Sequence, residues 1–251
     1  MRLPSASTLA FALLPLVPMG PQGARAAASA AQYGPLYEHL QGEVLLDNPR
    51  VLVQKFVIRP GQSTGRRTLP GDQLLVFVKG GVLTSQSGRS TLWRDGRVMW
   101  HEAAGGVVDD ADLGSTNTGT APIEMIWVTL KPVAASSGPP APGSPPKYRH
   151  LNYPNIPGED LLENDLVIVQ RFTVNPGQWE GVHAHPPDML YIHIKGGQWA
   201  ARSKHESEHP YPEPSPDGEV GWMPTIDISV GHESGNIGKE PIDLIWVTLK
   251  K

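Results

Sequence analysis

Residues 177–197 read GQWEGVHAHPPDMLYIHIKGG. A Pro-Gly turn leads into His183-x-His185, a Pro186-Pro187 break, an aromatic-rich apolar run and a Lys-Gly-Gly turn. In an extended segment side chains alternate faces, so His183 and His185 point the same way. Two imidazoles converging from one strand make half of a metal site. The rest of the reading follows from where a third ligand comes from.

Working outward, much of this stretch has an earlier copy. Residues 167–178 repeat 51–62, and Lys195-Gly196-Gly197 repeats Lys79-Gly80-Gly81, both displaced by 116 positions (167 − 51). Leu161-Leu162-Glu163-Asn164 repeats Leu45-Leu46-Asp47-Asn48. Near the ends, IWVTLK occurs at 126–131 and again at 245–250, displaced by 119 (245 − 126). The chain is a tandem duplication with a small insertion between the matched ends. PVAASSGPPAPGSPP, at 132–146, separates the copies as an extended linker without core-forming residues.

At 251 residues the chain suits two domains of about a hundred residues each. A net charge of −4 gives no basic footprint, which excludes nucleic acid as an expected partner. With no cysteine there is no disulfide and no thiolate, so a metal would be held by nitrogen or oxygen. The first thirty residues read as a secretory signal: Met1-Arg2, an apolar run from Leu9 to Met19 broken by Pro15 and Pro18, then Ala28-Ser29-Ala30 as a cleavage site. That run is too short and too broken to span a bilayer. The expected organisation is a signal over 1–30, a first domain over 31–131, the linker over 132–146 and a second domain over 147–251. The mature protein is expected to be exported, periplasmic or extracellular, with no membrane contact.

Each copy holds short runs of β-branched and aromatic residues bounded by Gly, Pro and Asn, and no window carries a long capped helical period. The expected fold is all-β, two tandem small barrels of the jelly-roll type. An immunoglobulin-like sandwich would show a Cys-Trp-Cys signature, which is absent.

Gly177-x5-His183-x-His185 with a closing Gly196 resembles the first sequence motif of the cupin superfamily. Pro224 followed by His232-x3-Asn236 resembles the second. The likeness covers both copies in layout, as in a bicupin, with the metal motifs in the second copy alone. The resemblance implies that His183, His185 and His232 bind one divalent transition metal, with iron, manganese, zinc, copper and nickel all admissible on imidazole ligands. The competing reading of the same residues is a surface pair and a loop cap. The family's first motif usually places a Glu where this chain has Met189. Asp188 is one residue away, and on a regular strand a one-residue shift turns the side chain to the other face.

His193 and Tyr191 share parity with Met189 and are the candidate substrate-orienting or proton-handling groups. A packed core or rim histidine is the alternative for His193. Trp179, Tyr191, Trp222 and Met223 could line an apolar mouth, or simply pack the barrel. His205 and His209 fall in SKHESEHPYPEP, expected to be an exposed loop. In the first copy, Arg67, Leu69 and Leu113 occupy the three ligand positions, so that copy is expected to be metal-free, serving packing, dimerisation or shielding. Arg66-Arg67 is expected to be a solvated basic turn. Asp72, the counterpart of Asp188, survives where no metal is expected, which marks Asp188 as a turn residue.

Among functions, three-His cupins include thiol and diketone dioxygenases, so the resemblance admits a metal-dependent oxidoreductase of dioxygenase type. Hydrolysis or isomerisation on zinc is a further option. A non-catalytic binder of a carboxylate or sugar, and a structural or storage barrel, are the competing classes. Oxalate-degrading bicupins carry the Glu that is missing here. The expected partner is a small-molecule ligand or substrate. A homodimer is one of the two ways in which the barrels could pair, between chains or within one.

Overall fold

The computed structural model of the protein describes residues 36–103, 114–132 and 148–250. The expected signal over 1–30, all but the first residue of the linker, and Leu113 lie outside the described residues. The first copy contains β1 (Glu43–Asp47), β2 (Val51–Ile58), β3 (Gln73–Lys79), β4 (Gly81–Thr84), β5 (Ser90–Trp93), β6 (Val98–His101), β7 (Thr116–Asn117) and β8 (Ile123–Leu130). The second contains β9 (Glu159–Glu163), β10 (Val167–Val174), β11 (Met189–Lys195), β12 (Trp199–Ser203), β13 (Glu206–Pro210), β14 (Val220–Met223), β15 (Glu233–Asn236) and β16 (Ile242–Leu249). The one helical element among the described residues is a 3₁₀ turn, Ile228–Val230.

The duplication is complete in topology. The five-stranded sheet β1-β2-β8-β3-β6 has its counterpart in β9-β10-β16-β11-β14, and the three-stranded sheet β5-β4-β7 in β13-β12-β15. Every described ladder is antiparallel, as expected for hairpin-linked strands.

The repeated residues build the repeated turns. Asn48 Oδ1 accepts from the Val51 amide at 2.9 Å, and Asn164 Oδ1 does the same for Val167 at 2.9 Å, closing the first hairpin of each copy. Gly61 and Gly177 sit at φ 76° and 75°, conformations that glycine adopts without steric cost. Asn236 is fully buried and bridges strands, donating to Val174 O and Glu240 O, both at 2.8 Å. Asn117 spans Ile58 O and Ala121 O in the first copy.

The two large sheets share one core. Ile126, Val128, Leu74 and Val76 of the first copy cluster with Ile245, Val247, Leu190 and Ile192 of the second. Trp127 and Trp246, alternating with these residues on β8 and β16, point the other way into the core of their own copy. IWVTLK is therefore apolar on both faces because both faces are covered. The barrels pair within the chain, and each fully buried Val or Ile contributes roughly 1.5–3 kcal/mol to that packing.

One segment differs from expectation. The stretch read as an exposed loop, SKHESEHPYPEP, begins as the β12–β13 hairpin, with Ala201 opposite His209 and Ser203 opposite Glu206. β13 is exposed along its length and lies at a sheet edge, where proline and charge are tolerated. His205 and His209 are exposed, as expected.

Candidate metal centre

The ligand segment is shaped by backbone contacts before any side chain is considered. Gly181 turns at φ 81°, and the His183 amide donates to His232 O at 3.1 Å, tying the two motifs together. His185 exchanges both backbone hydrogen bonds with Ile226, at 3.0 and 3.2 Å. His232 follows the 3₁₀ turn, which Asp227 opens by accepting from the Ser229 amide at 2.9 Å and Gly231 closes at φ 66°.

These contacts bring His183, His185 and His232 together, with one nitrogen from each lying within 4.8 Å of the others. Tyr153 packs edge-on to His183 at 4.6 Å and Trp246 edge-on to His185 at 5.4 Å, so apolar faces fix both rings. Burial holds His185 down to about 3 and His232 to about 4, with the neighbouring His183 adding to the effect in both cases. Burial likewise lowers His183, partly countered by the Gly181 carbonyl. All three are neutral at pH 7, the form that ligates.

This donor set fits a metal ion. His183 Nδ1 lies 2.8 Å from Gly181 O, which can only accept, so Nδ1 carries the proton and Nε2 presents a lone pair. That Nε2 is 2.8 Å from Nε2 of His185. Two such nitrogens at this distance need a shared proton or a cation to face. His185 Nδ1 is buried with no hydrogen-bond partner, so nothing competes for the ring from behind.

Two carboxylates near the triad gave no sequence signal. Glu180 is 3% exposed, accepts from the Ser234 amide at 3.2 Å and places Oε2 3.8 Å from His183 Nε2. Burial raises it to about 8, against the lowering effect of Tyr153 and the Ser234 amide. Its spacing from His183 matches no motif, because its partners come from β15 and from the segment before β9. The second is Glu219, beside His193 and Tyr191.

His185 and His232 line a cavity of about 100 Å³ between the two sheets of the second copy, walled also by Tyr191, His193, Trp199, Met223, Leu244 and Trp246. Both candidate substrate contacts, Tyr191 and His193, face it. The Trp199 indole N–H donates to His193 Nε2 at 3.2 Å. An indole cannot accept, so the His193 proton sits on Nδ1, 3.3 Å from Glu219 Oε2. The Tyr191 hydroxyl donates to Glu219 Oε1 at 3.3 Å. His193 foremost holds Glu219 below the usual carboxylate range, while burial and then Glu219 push the Tyr191 phenol up. Glu219 precedes β14, and only the β11–β14 pairing brings it to this wall.

Three other residues fall elsewhere. Asp188 sits at φ 58° with its carboxylate 2.6 Å from Arg50 Nη1 of the first copy and 3.2 Å from the Tyr148 hydroxyl. It is a turn residue facing the other copy. Trp222, opposite Leu190, packs on the joint core rather than lining the mouth, and Trp179 lies under the Arg202 guanidinium at 4.0 Å. Both had the right residue type for a pocket wall; the strand face and a neighbouring cation decide otherwise.

No protein-family model and no curated protein matches the sequence. Solved structures do match across most of the chain. A putative glyoxylate-induced protein from Pseudomonas aeruginosa superposes at TM-score 0.56 and 12% identity, covering 86% of this chain and 82% of its own. AerE from Microcystis aeruginosa gives 0.53 at 14% identity, covering 86% and 95%. A salicylate 1,2-dioxygenase from Pseudaminobacter salicylatoxidans gives 0.51 at 10%, covering 95% and 88%. The chain has the bicupin fold. Within that fold the two copies have diverged at the ligand positions. Leu69 is buried in the core of the first copy. Arg67 lies 5.2 Å over Trp127 with Nη2 3.5 Å from His101 Nδ1. Arg67 is thus a half-buried part of the first copy's cavity rather than a solvated turn, while Arg66 is exposed as expected.

Proposed function

We propose that the second copy binds one divalent transition-metal ion through His183, His185 and His232 and acts on a small organic molecule in the adjoining cavity. The observation that carries this reading is the meeting of three neutral imidazoles, two buried and one half-buried, with His185 and His232 lining the adjoining cavity. The finer reading is a dioxygen-dependent oxidation, which the whole-chain likeness to a salicylate dioxygenase supports at the level of fold. Export after removal of residues 1–30 belongs to the same proposal.

When bound, the ion supplies a Lewis-acid centre with coordination positions left for substrate. The protein supplies the rest. Trp246, Leu244 and Met223 exclude water and take the apolar part of the substrate. Tyr191 keeps its proton at neutral pH, and with that proton directed to Glu219 its hydroxyl oxygen can accept from a substrate donor. Glu219 accepts from that phenol and faces Nδ1 of His193, so it orders both side chains. The cavity is below the roughly 300 Å³ at which drug-sized pockets begin, which points to a small substrate.

The first experiment is elemental analysis of mature protein purified without chelator, beside His232→Ala. One equivalent of a single transition metal, lost in the variant, supports the site and names the ion. Oxygen uptake with iron-loaded protein then tests the oxidation. Wild-type protein that holds no metal after reconstitution overturns the proposal and leaves a binding or structural barrel.

A further inference from the structure

Resting on the three-histidine reading, we propose that Glu180 is the acidic group of this centre, the carboxylate that neutralises the bound cation in place of the Glu absent at position 189. Met189 is fully buried and packed in the core of the second copy, so that position offers the site no charge. Glu180 is the buried carboxylate beside the triad. Glutamate is almost never buried unless paired. The ion pair it forms among the described residues is with His183, which is neutral at pH 7. Its other hydrogen bond is the one accepted from the Ser234 amide at 3.2 Å, which orients the carboxyl group. A divalent cation held by the three imidazoles would supply the positive charge that favours the carboxylate form of this side chain. Oε2 stands 3.8 Å from His183 Nε2, beside the group of three histidines whose donor atoms all lie within 4.8 Å of one another, where its charge can act on a bound cation.

The duplication provides an internal control. At the displacement of 116 that aligns His183 with Arg67, Glu180 aligns with Thr64. Its surroundings persist: Gly181 as Gly65, Tyr153 as Tyr37, Asn236 as Asn117 and Trp246 as Trp127. In the first copy Tyr37 accepts from the Trp127 indole at 3.1 Å with no carboxylate at this position. The fold therefore does not need an acid here. The acid is absent from the copy that lacks the ligands, whereas Asp188, which is not a ligand, persists as Asp72.

The test is Co²⁺ titration into metal-free full-length protein, followed by calorimetry and the visible spectrum, for wild type, Glu180→Gln and His232→Ala. Wild type is expected to take one Co²⁺ per chain and His232→Ala to lose it. Glu180→Gln is expected to bind at least tenfold more weakly with an altered cobalt spectrum. Its metal-free melting temperature at pH 7 should equal or exceed that of wild type, because a buried amide fills the same space and takes up no proton on folding. Wild-type affinity and spectrum in Glu180→Gln, with binding lost in His232→Ala, overturn the role of Glu180 and leave the three-histidine site standing. Weaker binding together with a lower metal-free melting temperature shows a structural role and overturns it too. No Co²⁺ bound by wild type overturns both readings. Glu180→Thr, carrying the residue that the first copy accommodates, repeats the measurement if the glutamine variant does not fold.

Discussion

The contact between Arg50 and Asp188 predicts that the copy without ligands steadies the copy that has them. Arg50 Nη1 is 2.6 Å from Asp188 Oδ2, with side-chain exposures of 16% and 24%. Asp188 lies three residues after His185 and starts the strand that walls the cavity. The contact has no reciprocal. The residue matching Arg50 in the second copy is Leu166, and Asp72 instead accepts from the Ala103 amide at 2.8 Å. Arg50→Met keeps the packing of the aliphatic stem, and Asp188→Asn suits the left-handed conformation at φ 58°. At an effective dielectric of about 20 the Coulomb attraction is about 4 kcal/mol at 4 Å. Desolvation and lost side-chain entropy leave a coupling of about 1–2 kcal/mol, above the median of exposed pairs. A double-mutant cycle in urea measures it, and Co²⁺ affinity in the same four proteins should fall several-fold in each single variant. A coupling under about 0.3 kcal/mol, or unchanged metal affinity, would refute the argument.

Asn236→Ala removes two donated bonds and the one accepted from the Gly238 amide, all at 2.8 Å, and should cost about 3 kcal/mol of unfolding free energy in denaturant titration. Trp199→Phe removes the donor that fixes the His193 tautomer, so ¹⁵N shifts of that ring should move from a single Nδ1–H form to a mixture, and an unchanged spectrum would contradict the assignment. The stability of the metal-free protein should pass through a maximum near pH 6.5–7. Below about 6.5 the unfolded chain takes up protons that His183, His185 and His232 refuse when folded, so stability is lost as pH falls. Above that, folded Glu180 still holds a proton that the unfolded chain has released, so stability declines as pH rises towards about 8. Thermal melts across pH check this, and Glu180→Gln should flatten the alkaline limb.

The histidine triad was legible because each histidine sits at motif spacing near turn residues that recur in the other copy. The all-β duplication was equally legible, since the short strand runs recur with the Pro-Gly and Lys-Gly-Gly turns; the strand order was not. Glu180 and Glu219 were not, although Glu180 lies inside the first stretch quoted. A carboxylate acquires meaning from what desolvates it, and Ser234 reaches Glu180 from a distant part of the chain. The faces of Trp222 and Met223 were undecidable for a related reason. Alternation assigns them to opposite sides, but which side holds the cavity depends on the other copy covering the Leu190 face. The SKHESEHPYPEP stretch misled because composition does not separate an edge hairpin from a loop.

β8 and β16 end in the same five residues, IWVTL, and each lies at the centre of its sheet between two long antiparallel neighbours. Each offers the same aliphatic pair to the joint core and the same indole to its own copy. The two strands are therefore interchangeable parts. While the chain is still collapsing, either can enter the other's slot, or the slot of a second molecule, at little loss of contact energy. Refolding yield should consequently fall with protein concentration as exchanged, domain-swapped species accumulate. The repetition that closes two barrels over one core also leaves the nascent chain with two answers to the same pairing problem.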